Sequence, residues 1–331
     1  MLIVQRGALS HISKWVPTDR KIMVVTDSGV PFKYAQTVLS CCPQGYCHVF
    51  EQGERNKTLD TVRAILADML DNGFTRSDAV IAVGGGVVGD VAGFAASCYM
   101  RGVDFYNVPT TLLSQVDSSI GGKTGVDFGG VKNVVGAFYM PKAVVIDPDC
   151  LATLDPRLLH EGLAEAIKMA ATSDAELFSY IEEEGPLEAK LDRIITGALA
   201  IKQAVVDADP KEGGLRRVLN FGHTVGHAIE AASAAEGTHP FFHGECVAIG
   251  MLYLCSLPVR ERLEPLLERY DLPVNDPYDA ETLLSYKGHD KKKSGDSVTA
   301  VYVNEIGSFE FRKMNMKQMR ICLLQHKSAQ L

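Results

Sequence analysis

The sequence predicts an α/β protein: a parallel α/β domain followed by a mainly α-helical domain. Three observations carry this expectation. The first half alternates short apolar runs with amphipathic helical stretches, the grammar of a parallel sheet with crossover helices. That alternation stops near Asp147, and from about 156 to 269 the pattern is almost entirely helical. Between a strand pattern and a helix pattern lies a glycine run, GGGVVGD at 84–90.

Taken in order, KIMVVTDSG at 21–29 is an apolar run closed by turn residues and predicts a buried parallel strand. TLDTVRAILADMLDNGF at 58–74 places apolar residues at helical spacing, with Gly73 where a helix stops. DAVIAVGGG at 78–86, VDFYNVP at 103–109 and AVVIDP at 143–148 predict three more strands. The helical half contains LLHEGLAEAIKMAA, ELFSYIEE, LDRIITGALAIKQAVVDAD, VGHAIEAASAA and ECVAIGMLYLC, whose alanine-rich apolar stripes suggest a bundle. SVTAVYVNEIGSFEFRKM at 297–314 predicts a return to strand around a turn at Glu305-Ile306-Gly307. The expected domains are 1–149 and 150–331, packed closely with a cleft between them, where small-molecule sites are usually found.

Composition narrows the function classes. With 331 residues, 46% hydrophobic and 22% charged, the chain has enough apolar material for a sizeable core. A net charge of −8 argues against nucleic acid as the main partner, because a phosphate backbone needs a basic footprint. No apolar run approaches a membrane span, and MLIVQRGALSHISKW is unlike a secretory signal. The eight cysteines are scattered apart from Cys41, Cys42 and Cys47, and no second pair stands at zinc-site spacing. Reduced thiols and a cytoplasmic location are expected.

Gly84, Gly86 and Gly89 satisfy GxGxxG after a strand and at the opening of a helix. Such glycines let a backbone approach a pyrophosphate whose charge the helix N-terminus favours. The pattern is not in the first strand–helix unit and has no clear acidic partner about 20 residues on. Phosphate binding and a tight structural turn therefore both remain open. The run VPTTLLSQVDSSIGGKTGVDFGGVKNVVG at 108–136 adds small hydroxyl residues, two glycine pairs, Lys123, Lys132, Asp117 and Asn133. It has the look of a loop ordered around an anion.

The helical half carries the third group. Glu165 and Lys168 share a helix face, as do His223 and His227, and His243 follows in FFHGECVAIG. Two imidazoles and a carboxylate with an open position make a catalytic zinc site. Spacing alone leaves His223 with His227 as good a pair as His223 with His243. Arg101, Lys202, Arg216, Arg217 and the charge run Lys291–Lys293 supply basic residues near these motifs.

Together these motifs resemble the 3-dehydroquinate synthase family. GGGVVGD, MRGV, PTTLLSQVDSSIGGKTGV, GLAEAIKMA, LNFGHTVGHAIE and HGE occur in family order from about Lys21 to the C-terminal strands. The resemblance implies a Rossmann-like N-terminal domain, a helical C-terminal domain, NAD, one zinc or cobalt ion and a homodimer. It implies Glu165, His223 and His243 as metal ligands, with His227 facing substrate. Lys168, Lys202, Arg216 and Asn220 would hold the substrate's carboxylate, hydroxyls and phosphate. Asp117, Lys123, Lys132 and Asn133 would line the same pocket, closed by Lys291 or Lys292, with Arg101 reaching in from the neighbouring subunit. For NAD it points to Asp27, Glu54, Gly84, Gly85, Gly86, Gly89, Asp90, Thr110, Thr111 and Thr153, together with Lys123 and Lys132. The implied reaction converts 3-deoxy-D-arabino-heptulosonate 7-phosphate to 3-dehydroquinate and phosphate. Another sugar phosphate cyclase, a metal-dependent polyol dehydrogenase and an inactive binding protein are the alternatives. Three departures stand out: the chain is somewhat short for the family, the strand region before Lys21 is abbreviated, and the segment AASAAEGTHPFFHGE between the histidine helix and HGE is long, with Pro240 and His239.

Overall fold

A computed structural model describes residues 1–209, 213–237, 241–287 and 297–328. The chain divides into two compact units, Met1–Asp155 and Pro156–Leu331. The expected boundary at 149/150 falls inside a 3-10 segment, Pro148–Thr153, which belongs to the first unit.

The first unit is built on β1 (Leu2–Val4), β2 (Lys21–Asp27), β3 (Gln44–Phe50), β4 (Ala79–Gly84) and β5 (Asp104–Pro109). A hairpin, β6 (Lys123–Phe128) and β7 (Val131–Phe138), and then β8 (Ala143–Ile146) complete its strands. Six strands form one parallel sheet in the order β1-β8-β5-β4-β2-β3. Helices α1 (Phe32–Ser40), α2 (Leu59–Asp71) and α3 (Gly86–Cys98) join them.

Alternation along each strand sends side chains to both faces. Met23 and Val25 of β2 and Val80 and Ala82 of β4 pack with Val62, Ile65, Val91 and Ala95 of α2 and α3. Ile22, Val24, Ala79, Ile81 and Val83 pack on the opposite side with Ala35 and Val38 of α1 and with Leu9 and Ile12. A sheet covered on both faces needs apolar residues at every position, which is why these strands read as unbroken apolar runs.

Sheet order also places the site. From β2 the chain goes outward to β3, then returns to lay β4 on β2's other side. The crevice at the carboxyl ends of β2 and β4 is thus a topological switch point, where open α/β sheets bind ligands. Asp27 ends β2, and Gly84 ends β4.

The run at 108–136 is more ordered than the loop expected from sequence. A π-turn at Ser114–Ser118 leads into the antiparallel hairpin, which turns on Gly129 and Gly130 at φ 60° and 79°. A two-residue turn with both φ positive matches strand twist and admits glycine best.

The second unit holds α4 (Pro156–Ser173), α5 (Ala175–Glu182), α6 (Leu187–Ala208), α7 (His223–Glu236), α8 (His243–Tyr253), α9 (Leu257–Arg269) and α10 (Ala280–Lys287). The expected C-terminal strands are β9 (Ser297–Tyr302) and β10 (Glu310–Asn315), paired antiparallel. A last helix, α11 (Met316–Ser328), follows and was not foreseen; it buries Met319 and Leu323. Among the described residues, no helix is long and apolar enough to cross a membrane. All eight cysteines are free thiols.

Candidate active site

In the first unit the glycine run caps α3. Gly85 is the N-cap residue and Gly86 the first helical residue, and the N-cap glycine supplies no side chain to cap the helix's leading amides. The run is tight: a Cβ on Gly84 would lie 2.4 Å from Val88 Cγ2, and one on Gly86 3.1 Å from Ser118 Oγ. Ser118 Oγ is buried with no hydrogen-bond partner among the described residues. A helix start capped by glycines rather than by a side chain, at a switch point, fits a dinucleotide pyrophosphate. Thr110 and Thr111 follow β5 beside this run, and the Thr110 N–H donates to the Gly84 carbonyl at 2.9 Å.

Asp27 turns its carboxylate onto its own turn, accepting the Gly29 and Val30 N–H groups at 2.9 and 3.1 Å. Burial raises its pKa against those two hydrogen bonds. Thr153 Oγ1 lies 2.8 Å from the Tyr34 hydroxyl. Lys123 and Lys132 are exposed on the hairpin, Asp117 is half-buried in the π-turn, and Arg101 is exposed after α3.

Lys57 was missed by the sequence reading. It is 4% exposed, and its ammonium lies 2.6 Å from Asp90 Oδ2 and 3.9 Å from Glu54 Oε1, and donates to Asn133 Oδ1. It thereby gathers three of the expected site residues from α3, a 3-10 turn and β7. Burial raises the Asp90 pKa, and the Lys57 charge opposes the rise. Nothing in the run ERNKT distinguishes this lysine from solvated neighbours, because its partners are remote in sequence.

The second unit brings Glu165, His223 and His243 together. Glu165 lies on α4, buried, and Lys168 one turn on pairs with its Oε2. His223 opens α7 and His243 opens α8. Their Nε2 atoms each lie 3.6 Å from Glu165 Oε1. That oxygen is buried with no hydrogen-bond partner among the described residues. One ligand atom from each residue falls within a 4.8 Å cluster, so the trio could hold a metal ion. A buried carboxylate oxygen with idle lone pairs, facing two imidazoles, is the donor set of a catalytic zinc site.

Backbone packing brings the helices this close. A Cβ on Gly244 would lie 2.0 Å from the Glu161 carbonyl oxygen, and one on Gly250 2.1 Å from that of Gly222. Gly222, at φ 78°, makes the turn into α7. The Glu245 carboxylate accepts the Phe242 N–H at 2.7 Å and binds Arg157 of α4 through two bonds of 2.6 and 2.8 Å. That fork fixes the start of α8, and His243 with it, to the helix carrying Glu165.

The charges follow. Burial would raise the Glu165 pKa, but Lys168, His223 and His243 hold it well below the usual carboxylate range. Burial and the Lys168 charge push His223 down to about 3. Burial opposes the charged form of His243, yet the neighbouring Glu165 and Glu230 carboxylates raise it to about 10. Burial lifts Glu161 to about 7, partly offset by His243 and the Gly244 N–H.

His227 stands one turn after His223 with ring centroids 5.2 Å apart, exposed on the same side of α7. Lys202 of α6 and Arg216 are buried, at 4% and 6% exposure, and Asn220 is exposed in the 3-10 segment Leu215–Asn220. Asp209 at the end of α6 accepts the Gly213, Gly214 and Arg216 N–H groups at 2.6, 2.8 and 2.9 Å. Those bonds lower its pKa and fold the segment carrying Arg216. Lys291, Lys292, His239 and Pro240 lie outside the described residues.

A doubly wound α/β unit with a glycine-capped helix, followed by a helical unit with a His₂Glu ligand set, defines the dehydroquinate synthase-like fold class. Two solved sugar phosphate cyclases share it. The 2-epi-5-epi-valiolone synthase of Streptomyces hygroscopicus, with NAD+ and Zn2+ bound, is 27% identical at TM-score 0.87, over 99% of this chain and 97% of that one. A 2-deoxy-scyllo-inosose synthase complexed with carbaglucose-6-phosphate, NAD+ and Co2+ is 25% identical at TM-score 0.87, over 98% and 96%. Residues 47–161 match the 3-dehydroquinate synthase N-terminal family and residues 162–293 the C-terminal family. The 3-dehydroquinate synthase of Streptococcus suis is 41% identical over 96% of this chain and 95% of its own length. The chain belongs to the 3-dehydroquinate synthase family.

Proposed function

We propose that this chain converts 3-deoxy-D-arabino-heptulosonate 7-phosphate to 3-dehydroquinate and phosphate. The observation that carries the reading is the buried Glu165 carboxylate, one oxygen paired with Lys168 and the other facing His223 and His243. It stands in a chain 41% identical to a 3-dehydroquinate synthase but 27% and 25% identical to a 2-epi-5-epi-valiolone synthase and a 2-deoxy-scyllo-inosose synthase. That contrast favours the heptulosonate over the alternative substrates.

The substrate's phosphate departs from an unactivated carbon only after C5 becomes a ketone, which acidifies the C6 proton and permits β-elimination. The ketone is then reduced again, the ring opens, and an aldol step closes the carbocycle. When bound, NAD supplies a hydride acceptor that is restored within the cycle, and a zinc or cobalt ion supplies a Lewis acid at the C4 and C5 hydroxyls.

The remaining work falls to this chain's side chains. Glu165, His223 and His243 would hold the metal. Lys168, already neutralising one Glu165 oxygen, would present its ammonium to a substrate hydroxyl. Lys202, Arg216, Asn220 and His227 would fix the carboxylate and phosphate, with Asp117, Lys123, Lys132, Asn133 and either Lys291 or Lys292. Positioning of this kind is worth on the order of 7 kcal/mol of barrier when the bound geometry is close to that of reaction. Asp27, Glu54, the run Gly84–Asp90, Thr110, Thr111 and Thr153 would hold NAD, with Lys57 added to the set by its contacts with Glu54 and Asp90.

We further propose a homodimer to which each protomer lends Arg101. Val134 and Phe138 of β7 and Met140 two residues beyond it are exposed apolar side chains, supporting an interface there. Free thiols throughout support a cytoplasmic enzyme.

The test follows phosphate release and nicotinamide absorbance together in the metal-loaded enzyme. Stoichiometric phosphate release and a cyclic product, with a trace of NAD sustaining many turnovers, are expected. Reduced nicotinamide growing one for one with product would overturn the reading in favour of a polyol dehydrogenase.

A further inference from the structure

The two imidazoles beside Glu165 are anchored differently on their far sides. His223 Nδ1 lies 3.2 Å from the Phe221 carbonyl oxygen, a neutral main-chain acceptor. His243 Nδ1 lies 3.2 Å from Glu230 Oε2, a carboxylate. Each tether leaves Nε2 facing Glu165 Oε1. Glu230 stands seven residues after His223 on α7, two turns on and hence on the same face. One helix can therefore donate a ligand and orient the ligand carried by its neighbour. The close packing of α7 on α8 permits this reach: a Cβ on Gly226 would lie 2.8 Å from the Cys246 carbonyl oxygen.

We propose that Glu230 is a positioning residue of the metal centre. Its carboxylate accepts the Nδ1–H of His243, fixes the tautomer that leaves the Nε2 lone pair free, and makes that nitrogen a stronger donor. The inference rests on the metal ligands proposed above. His227, Glu230 and His243 also bring ligand atoms within 4.8 Å, which invites a different assignment, Glu230 as itself a cation ligand. The chemistry argues against it. A neutral imidazole has a single lone pair, so His243 cannot serve both sites without losing its second ring proton. The deeply buried Glu165 outcompetes Glu230, whose side chain is 22% exposed.

The test titrates the apoenzyme with cobalt(II) against a competing chelator and records the cobalt visible absorption. E230Q and E230A are compared with the native enzyme, and H223A serves as control. Native protein should bind one equivalent. E230A should bind the same single equivalent about 10- to 100-fold more weakly. E230Q should fall between them, because its amide oxygen still accepts the Nδ1–H but carries no charge. That partial rescue is not expected of a merely structural side chain. Circular dichroism of the isosteric E230Q keeps the test open should E230A misfold. Native-like cobalt affinity in both Glu230 variants, with loss in H223A, overturns the role of Glu230 alone. Native-like affinity in H223A as well overturns the metal assignment beneath it. A second equivalent bound by the native enzyme and lost in E230A makes Glu230 a ligand and overturns the positioning role.

Discussion

At the scale of single residues the chemistry turns on how three imidazoles are told apart. The rings of His223, His227 and His243 lie with centroids 5.1 to 5.9 Å from one another, so proximity alone does not choose between them. What separates them is the Glu165 oxygen, 3.6 Å from Nε2 of both His223 and His243. Replacing His223 with alanine should therefore strip metal from the protein, since removing one of three ligands leaves an incomplete site. His227→Ala should keep its metal and lose turnover through weakened substrate contacts. Elemental analysis after dialysis reads the difference, and full metal content in the His223 variant would defeat the ligand assignment. Helical spacing in the sequence put Glu165 with Lys168 and His223 with His227 correctly on shared faces. It could not choose the second histidine, because that choice depends on how α7 and α8 meet. Lys57 was invisible for the same reason: its partners Asp90 and Asn133 come from elements far along the chain.

At the scale of elements, the apolar strands and the alanine-rich helices were legible because burial on both faces leaves a continuous apolar run and burial on one leaves a stripe. β3, in contrast, alternates exposed and half-buried residues at the sheet edge, with Cys47 exposed, and so offers no continuous apolar run and is absent from the expected strands. The hairpin of β6 and β7 carried its turn signal in Gly129-Gly130, but the lysines around it drew the reading toward an anion loop. Small residues at the helix crossings make the firmest statement at this scale. Gly244 sits where a Cβ would meet the Glu161 main-chain oxygen at 2.0 Å, and a backbone oxygen cannot rotate away. Gly244→Ala should force α8 away from α4. Overpacking of this kind costs about 1 to 3 kcal/mol, and His243 should move with its helix away from Glu165. Chemical denaturation and metal affinity should both decline. A variant as stable as the parent, with undiminished metal affinity, would show that the crossing tolerates displacement and that α8 is not held by this contact.

At the scale of the whole molecule the question is whether a protomer completes its own chemistry. Arg101 is exposed, and with Met100 it occupies the left-handed region, at φ 68° and 50°. Such backbone is unfavourable for non-glycine residues and is retained where surrounding structure or function demands it. The end of β7 lies close by, since the Tyr139 hydroxyl donates to the Val103 carbonyl at 2.6 Å, and Val134 and Phe138 of β7 are exposed on a strand that pairs only with β6 among the described residues, a surface that isolated proteins usually blunt. Both features are explained if two copies meet there and each lends Arg101 to the other. Arg101→Ala and Lys202→Ala protomers would each be inactive as homodimers. In a mixed dimer, the site keeping its own Lys202 and receiving the partner's Arg101 has every group it needs, while the other site lacks both. Equal mixing with free exchange makes half the dimers mixed, with one working site in each, so about a quarter of native activity should return. Differently tagged protomers and tandem affinity capture verify that mixed dimers form. If captured mixed dimers release no phosphate, Arg101 serves its own protomer or none, and the shared site is wrong even if the dimer stands.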